Sequence, residues 1–487
     1  MYMLMDKKKV ITSLVYKFIE RLSVKGLGLV IGIILARMLA PDQFGLIAIM
    51  NVFINLSQVI VEGGFTTALI QRKDVTEQDY STVFYINIAL AAVCFAALEI
   101  GAPWISIFYK EDITLPLRIY AVCVFFGAFN ALQLARLQKR MQFRKIMICS
   151  LIATVLSGVV GIVGAYCNLG LWALILYHLM NSVTVCFTVA FAERWLPKLE
   201  FSLNRAKVLF SYGWKMFISA VLCSLYADIR SLVIGKKFSS DDLAYYDRGQ
   251  KFPQIISHTL DSSIQSVMFP TMASVQDDKN KLAKMLRSAE TMGAYVVIPI
   301  MFGLAAVSEA FIDLLLTDKW LPCVPYMQWL CIANAAVPIT SSNLIAIKST
   351  GRSDIYMRLE MIRRVVMLVI LIISVVVFRS VFAIAVSFCI SSWLDALITM
   401  TPVKRLIGYG IKGQLADLWK IFLASGVMFV SVQTMNLLQW SGYLLLPLQI
   451  LTGAALYLLL GMLLRIEPQS AILTLLRKMM RKKETKH

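Results

Sequence analysis

Asn51, Asn55 and Glu62 are separated by four and then seven residues in an otherwise apolar stretch, so on a helix all three share one face. One shift of 199 positions (250 − 51) returns the same order of side chains as Gln250, Gln254 and Asp261. Gln58 extends the first row, and Ser257 and His258 extend the second. Amides in such a row can exchange hydrogen bonds with a hydroxyl-rich ligand. Glu62 and Asp261 can titrate, or pair with cations. A lone Asn among apolar helices is well explained by an interhelical hydrogen bond worth about 1 kcal/mol or less. Two rows in matched positions point instead to the lining of a cavity.

A second set is basic. Lys17, Glu20, Arg21 and Lys25 fall on one helical face near the start of the chain, and Lys215, Asp228 and Arg230 occur in the corresponding stretch of the second half. One reading is internal pairing of Glu20 with Lys17 or Arg21, with Lys17 snorkelling to the surface. The other is a basic wall that holds an anion, with Arg21, Lys25, Lys215 and Arg230 as its members. Glu20, Glu62, Asp228 and Asp261 are then the candidate coupling or ion-pair acids. Asp228 and Arg230 are two residues apart and do not face each other on a helix, which sends each to a partner elsewhere. Asn334, Ser341, Ser342 and Asn343 mark either a partly hydrated helix or ordinary packing by small polar groups. No catalytic constellation is expected: only three histidines are present, and the nine cysteines are scattered without a Cys-x-x-Cys pair. Neither a metal nor a cofactor is expected.

These residues sit in a chain that is 59% hydrophobic and 16% charged, with a mean hydropathy of +0.72. Apolar runs long enough to cross a bilayer recur throughout. About fourteen spans are expected, among them 10–38, 44–70, 208–235, 243–272 and a last pair at 416–435 and 441–464. The net charge of +19 would suggest nucleic acid for a soluble protein. Here most Lys and Arg fall on alternate loops, which predicts cytoplasmic termini and no nucleic-acid partner. Trp104, Trp172, Trp195, Trp214, Trp320, Trp419 and Trp440 are expected as interfacial anchors, and Trp329 and Trp393 as packing between helices. Loops 139–145 and 348–354 echo each other, as topology-setting charges or as contacts to lipid head groups. The stretch 468–483 reads as a basic amphipathic helix.

The fold class expected is all-α integral membrane, with two parallel six-helix lobes related by a pseudo-two-fold axis along the membrane normal. The lobes are placed at 1–203 and 204–403, followed by an extra helix pair and basic tail at 404–487.

The run Leu35-Ala36-Arg37-Met38-Leu39-Ala40-Pro41-Asp42-Gln43-Phe44-Gly45-Leu46 resembles the outer end of the first span in Wzx-type polysaccharide flippases, the polysaccharide transporter branch of the MOP superfamily. Glu62-Gly63-Gly64-Phe65, Ala68-Leu69-Ile70-Gln71-Arg72-Lys73, Gln78-Asp79, Tyr246-Asp247-Arg248, Phe269-Pro270 and Gln276-Asp277-Asp278 follow in the family's order. The resemblance implies alternating access and movement of an undecaprenyl-pyrophosphate-linked oligosaccharide from the inner to the outer leaflet of a bacterial plasma membrane. It implies a pyrophosphate held by the basic residues and sugars met by Asn51, Asn55, Gln58, Gln250 and Gln254. Partners would be the lipid-linked oligosaccharide, membrane lipids and a polysaccharide polymerase. Energy would come from a proton or sodium gradient or from the membrane potential. The acids Glu62 and Asp261 depart from a purely basic cavity and leave open an ion-coupled, charge-compensated one. The rival within the superfamily is a cation-coupled multidrug antiporter, against which the basic first span and the extra helix pair count. A membrane glycosyltransferase or ligase needs a larger outer loop than this sequence supplies, and a receptor or scaffold leaves the repeat unexplained.

Overall fold

The computed structural model describes residues 7–66, 69, 75–438 and 442–470, and within them the side chains of all but 7–22, 208, 211, 212, 215, 353, 438 and 442. Among the described residues every regular element is a helix. Contacts divide the chain into two units, Met1–Ala244 and Tyr245–His487.

The first unit opens with α1 (Lys7–Met38) and α2 (Pro41–Glu62). The break between them has a local cause: Ala40 is extended, Pro41 presets the first turn, and Asp42 adds an acid at the positive end of the helix. Gly63, at φ +53°, stops α2 in a left-handed cap that a residue with a Cβ adopts less readily. Next comes α3 (Glu77–Tyr109), started by a capping box in which Asp79 N–H donates to Thr76 Oγ1 (3.3 Å) and Thr76 N–H to Asp79 Oδ2 (2.8 Å). A short α4 (Thr114–Ala121) and α5 (Cys123–Lys139) together make one membrane-length stretch. They are followed by α6 (Phe143–Tyr166), α7 (Leu171–Glu193) and α8 (Leu203–Lys237). Helix α6 packs against both α1 and α7 through small residues: a Cβ on Gly158 would lie 2.4 Å from Ile31 Cδ1.

Helix α8 packs on α2. Their backbones meet at Gly64 and Gly213, where a Cβ on Gly64 would fall 2.4 Å from the Gly213 carbonyl oxygen. At the other end of α2, a Cβ on Gly45 would sit 1.8 Å from the carbonyl oxygen of Ser240. These approaches give the contact division at Ala244/Tyr245 its physical basis. It falls beyond the 203/204 boundary expected for the two lobes.

Helix α9 (Ser240–Ala273) carries the chain into the second unit. There α10 (Lys279–Ala306), α11 (Ser308–Leu316), α12 (Val324–Asn334) and α13 (Val337–Ser349) are followed by α14 (Ser353–Ile373), α15 (Val381–Ile407), α16 (Ile411–Thr434) and α17 (Gly442–Leu463). Helix α10 is the hub and packs against α16, α13 and α12. At its basic end Leu282, Leu286 and Ala289 join Met272, Ile345, Leu359, Val403 and Ile407 in one buried cluster.

Twelve helical stretches among the described residues are long and apolar enough to cross a membrane. The chain is therefore a multi-pass membrane protein. The two expected spans outside that set, 10–38 and 243–272, form the single helices α1 and α9, of 32 and 34 residues. Composition alone thus supports twelve of the fourteen spans; α9 carries too many amides, hydroxyls and charges to qualify.

Trp329 and Trp393 pack between helices as expected, against Phe382 and Phe422 with ring centroids 6.3 and 5.5 Å apart. Two tryptophans depart from the interfacial role. Trp320 is fully buried, with Tyr245 edge-on to its ring at 6.0 Å. Trp195 is buried because its indole N–H donates to Glu77 Oε2 (2.6 Å). The basic tail lies beyond Ser470, outside the described residues, apart from its first positions, and so does most of the Ala68–Lys73 motif.

Candidate functional site

Both polar rows lie on uninterrupted helices, α2 and α9, so the shared face inferred from spacing exists in each unit. In the first unit Asn55 and Glu62 are exposed and Asn51 and Gln58 half-buried. In the second, Gln254 and His258 are exposed and Gln250 and Asp261 half-buried. Exposed amides and acids on a membrane-spanning helix are too costly to face hydrocarbon, and mark a face turned to water or protein.

The members of each row have different duties. Asn51 Oδ1 accepts the Tyr120 hydroxyl (2.5 Å), which ties α2 to α4, and the Tyr120 ring lies 5.5 Å from His178 on α7. Asn51 thus holds helices together at the deep end of its row. Gln58 lies beside Gly127, whose missing side chain leaves room for the amide. In α9, Ser257 is fully buried and donates to Asn334 Oδ1 (2.7 Å), so Asn334 is a packing residue. Gln265 Nε2 donates to Asp261 Oδ2 (2.6 Å), which keeps that acid supplied within its own helix. Ser341, Ser342 and Asn343 are buried in α13.

Of the basic set, Lys25 is exposed and Arg230 is 7% exposed, on α1 and α8 of the first unit. Asp228 is half-buried. The side chains of Lys17, Glu20, Arg21 and Lys215 lie outside the described residues. The matched loops prove largely structural. Lys139 and Lys145 donate to the carbonyls of Leu69 and Ala192 (both 3.0 Å), and Arg352 forms a two-armed pair with Asp354 (2.9 Å each).

Sequence reasoning missed a charged network on the first unit. Arg136 is 4% exposed; it donates to Glu193 (3.0 Å) and to Glu77 (2.9 Å), and its guanidinium stacks over Tyr80 and Trp195 at 4.5 and 4.8 Å. Arg140 adds a second bond to Glu193 (2.9 Å), and Arg205 reaches Asp79 (2.9 Å). Arg136 is one of the many Lys and Arg that follow the alternating loop pattern, which hid this, although the acids Glu77, Asp79 and Glu193 and the cations Arg136, Arg140 and Arg205 were there to be read. No group of His, Cys, Asp or Glu among the described residues is arranged to hold a metal ion.

The helical fold is similar to those of solved membrane transporters. It superposes on the lipid II flippase MurJ in its inward closed conformation with a TM-score of 0.74 at 15% identity, covering 93% of this chain and 99% of that one. An inward-facing multidrug resistance MATE family transporter matches with a TM-score of 0.60 at 14% identity, over 80% and 98%. Residues 34–325 match the profile of the polysaccharide biosynthesis protein family, and the chain belongs to that family. Its curated relatives include the teichuronic acid biosynthesis protein TuaB of Bacillus subtilis, 26% identical over 61% of this chain and 62% of TuaB. The succinoglycan biosynthesis transport protein ExoT of Rhizobium meliloti is 22% identical over 87% and 82%, and the lipopolysaccharide biosynthesis protein WzxC of Escherichia coli 22% over 86% of each chain. The expected likeness to Wzx-type flippases is thereby borne out.

Proposed function

We propose that this protein moves a polyprenyl-pyrophosphate-linked oligosaccharide from the inner to the outer leaflet of a bacterial plasma membrane, by alternating access and without covalent chemistry. The observation that carries the reading is the pair of partly exposed amide–acid rows on α2 and α9. Their amides suit sugar hydroxyls, and a face of this kind is of no use against lipid. Family membership and the MurJ-like fold support a lipid-linked cargo.

Asn55, Gln58, Gln250 and Gln254 would meet sugars, with Asn51 contributing mainly through its bond to Tyr120. Arg21, Lys25, Lys215 and Arg230 would hold the pyrophosphate, while the hydrocarbon tail stays in lipid. Both termini are assigned to the cytoplasm from the Lys and Arg bias of the loops. A polymerase acting on the delivered repeat unit is the expected partner.

The test is a deletion strain analysed for surface polysaccharide and for lipid-linked oligosaccharide, then complemented with wild type, Arg21→Ala or Lys25→Ala. Loss of polymer with accumulation of lipid-linked repeat units, rescued by wild type and by neither variant at equal protein level, is expected. Normal polymer together with sensitivity to cationic drugs would transfer the assignment to a cation-coupled antiporter.

A further inference from the structure

Helix α10 carries Lys279, Lys281, Lys284 and Arg287 in its first turns and buries an acid one turn later. Glu290 is 0% exposed, and neither carboxylate oxygen has a hydrogen-bond partner among the described residues. The surrounding donors are committed elsewhere. Asn343 on α13 gives its two N–H groups to the Ile339 carbonyl (2.9 Å) and to Gln414 Oε1 (3.0 Å). Gln414 on α16 gives its own to Asn343 Oδ1 (3.0 Å) and to the Tyr409 carbonyl (3.3 Å). Arg287 donates to Asp417 (2.7 Å) and Glu467 (3.1 Å), and the Tyr409 hydroxyl also goes to Asp417 (2.7 Å).

Asp417, on the helix that packs most closely with α10, thus takes up the Arg287 guanidinium one turn before Glu290. The other helices packed on α10 add the exposed cations Lys348 on α13 and Lys404 and Arg405 on α15, and the half-buried Asp395 of α15, which pairs with Arg363 (3.2 Å). Helix α15 brings Val403 and Ile407 to the cluster around Ala289, and α13 brings Asn343. The titratable groups of α12 are Tyr326 and Cys331. Tyr457 of α17 donates to the Tyr295 carbonyl (2.9 Å), and α11 begins at the far end of α10. An ionised carboxylate in such a place, beside a second one, would cost several kcal/mol. A neutral carboxyl avoids that cost. Next to it, Arg287, Thr291, Asp417, Lys420, Arg465 and Glu467 line a polar cavity of about 110 Å³, with room for water.

We propose that Glu290 is a proton-binding site, loaded and emptied through Asp417 and this cavity, with water as proton donor and acceptor. On release the carboxyl O–H bond breaks and the proton passes by way of Asp417 to water. The carboxylate left behind competes with Asp417 for Arg287 and loosens α16 from α10. This goes beyond the transport reading and does not depend on it, because the test reads the proton and not the cargo.

Dicyclohexylcarbodiimide adds to protonated carboxyls in apolar surroundings, and the N-acylurea that forms is located by mass spectrometry. Applied to the full chain in lipid nanodiscs, it should modify Glu290 at neutral pH and about ten-fold less at a strongly alkaline one. Asp417→Asn removes the neighbouring negative charge, so labelling should be lost at a lower pH than in wild type. The wild-type experiment needs no variant to fold. An unmodified Glu290 at neutral and acidic pH, or the same yield at every pH, overturns the proposal. So does protection by sodium ions at constant pH, since a metal cation would then occupy the site.

Discussion

Arg136 has two acids in its plane and two aromatic rings across its face. Its side chain is 5% exposed and that of Glu193 is 1% exposed, so neither charge can turn to water if the other is removed. Loss of one member of a buried, hydrogen-bonded pair costs about 3 kcal/mol or more. Arg136→Ala should therefore lower the thermal unfolding temperature of the purified protein sharply. Arg352→Ala, which breaks an exposed pair with Asp354, should leave that temperature nearly unchanged. Equal effects of the two substitutions would remove the Arg136 network from any special structural role.

At the scale of elements, the governing feature is how closely α2 approaches its neighbours at both ends. The Gly45–Ser240 approach brings the acidic starts of two helices together, Asp42 on one and Asp241 and Asp242 on the other. Burial, and then the neighbouring charges of Asp42 and Asp242, raise the Asp241 carboxyl above the ordinary Asp value. A carboxyl raised in the packed state binds its proton more tightly there than when the helices part. Its contribution to packing is therefore present at low pH and is lost as pH rises through its raised value. Once corrected for the slower oxidation of thiols at low pH, disulfide trapping between cysteines placed at positions 46 and 243 should accordingly be more efficient under mildly acidic conditions, and Asp241→Asn should flatten the dependence. Gly45→Leu should abolish trapping at any pH, because its side chain would meet the Ser240 backbone.

The helices themselves were legible in the sequence as apolar runs, and the faces of α2 and α9 as a repeated polar spacing. The duty of each polar residue was not. The Asn51–Tyr120 bond joins residues 69 apart in sequence, and Ser257 reaches Asn334 across 77. Nothing in local spacing separates such a packing amide from one left open to a ligand. For the same reason nothing in local spacing singles out Glu290. Its significance lies in donors that are all engaged with other acceptors, and only the folded arrangement determines that.

At the scale of the whole molecule, the polar repeat leads to an expected boundary near residue 203, while packing divides the chain after Ala244. The segment after α7 accounts for part of the difference. It is fastened to the start of α3 by main-chain donors: Lys198 N–H to Ser81 Oγ (3.0 Å) and Ser202 N–H to Thr82 Oγ1 (3.3 Å). Trp195 and Arg205 add bonds to Glu77 and Asp79 on the same helix end. Lys198 is exposed, yet its backbone is held. The double substitution Ser81→Ala, Thr82→Ala should therefore speed tryptic cleavage after Lys198 in the otherwise intact protein. An unchanged rate would show that the fastening does not restrain the segment.

That fastening also bears on biosynthesis. Residues 76–82 leave the ribosome more than a hundred codons before Lys198 and Ser202 do, so the docking surface is already in the membrane when the connecting segment emerges. Helix α8 then enters the translocon with its first residue tethered beside a finished helix, and its insertion begins from a fixed anchorage instead of from a free chain.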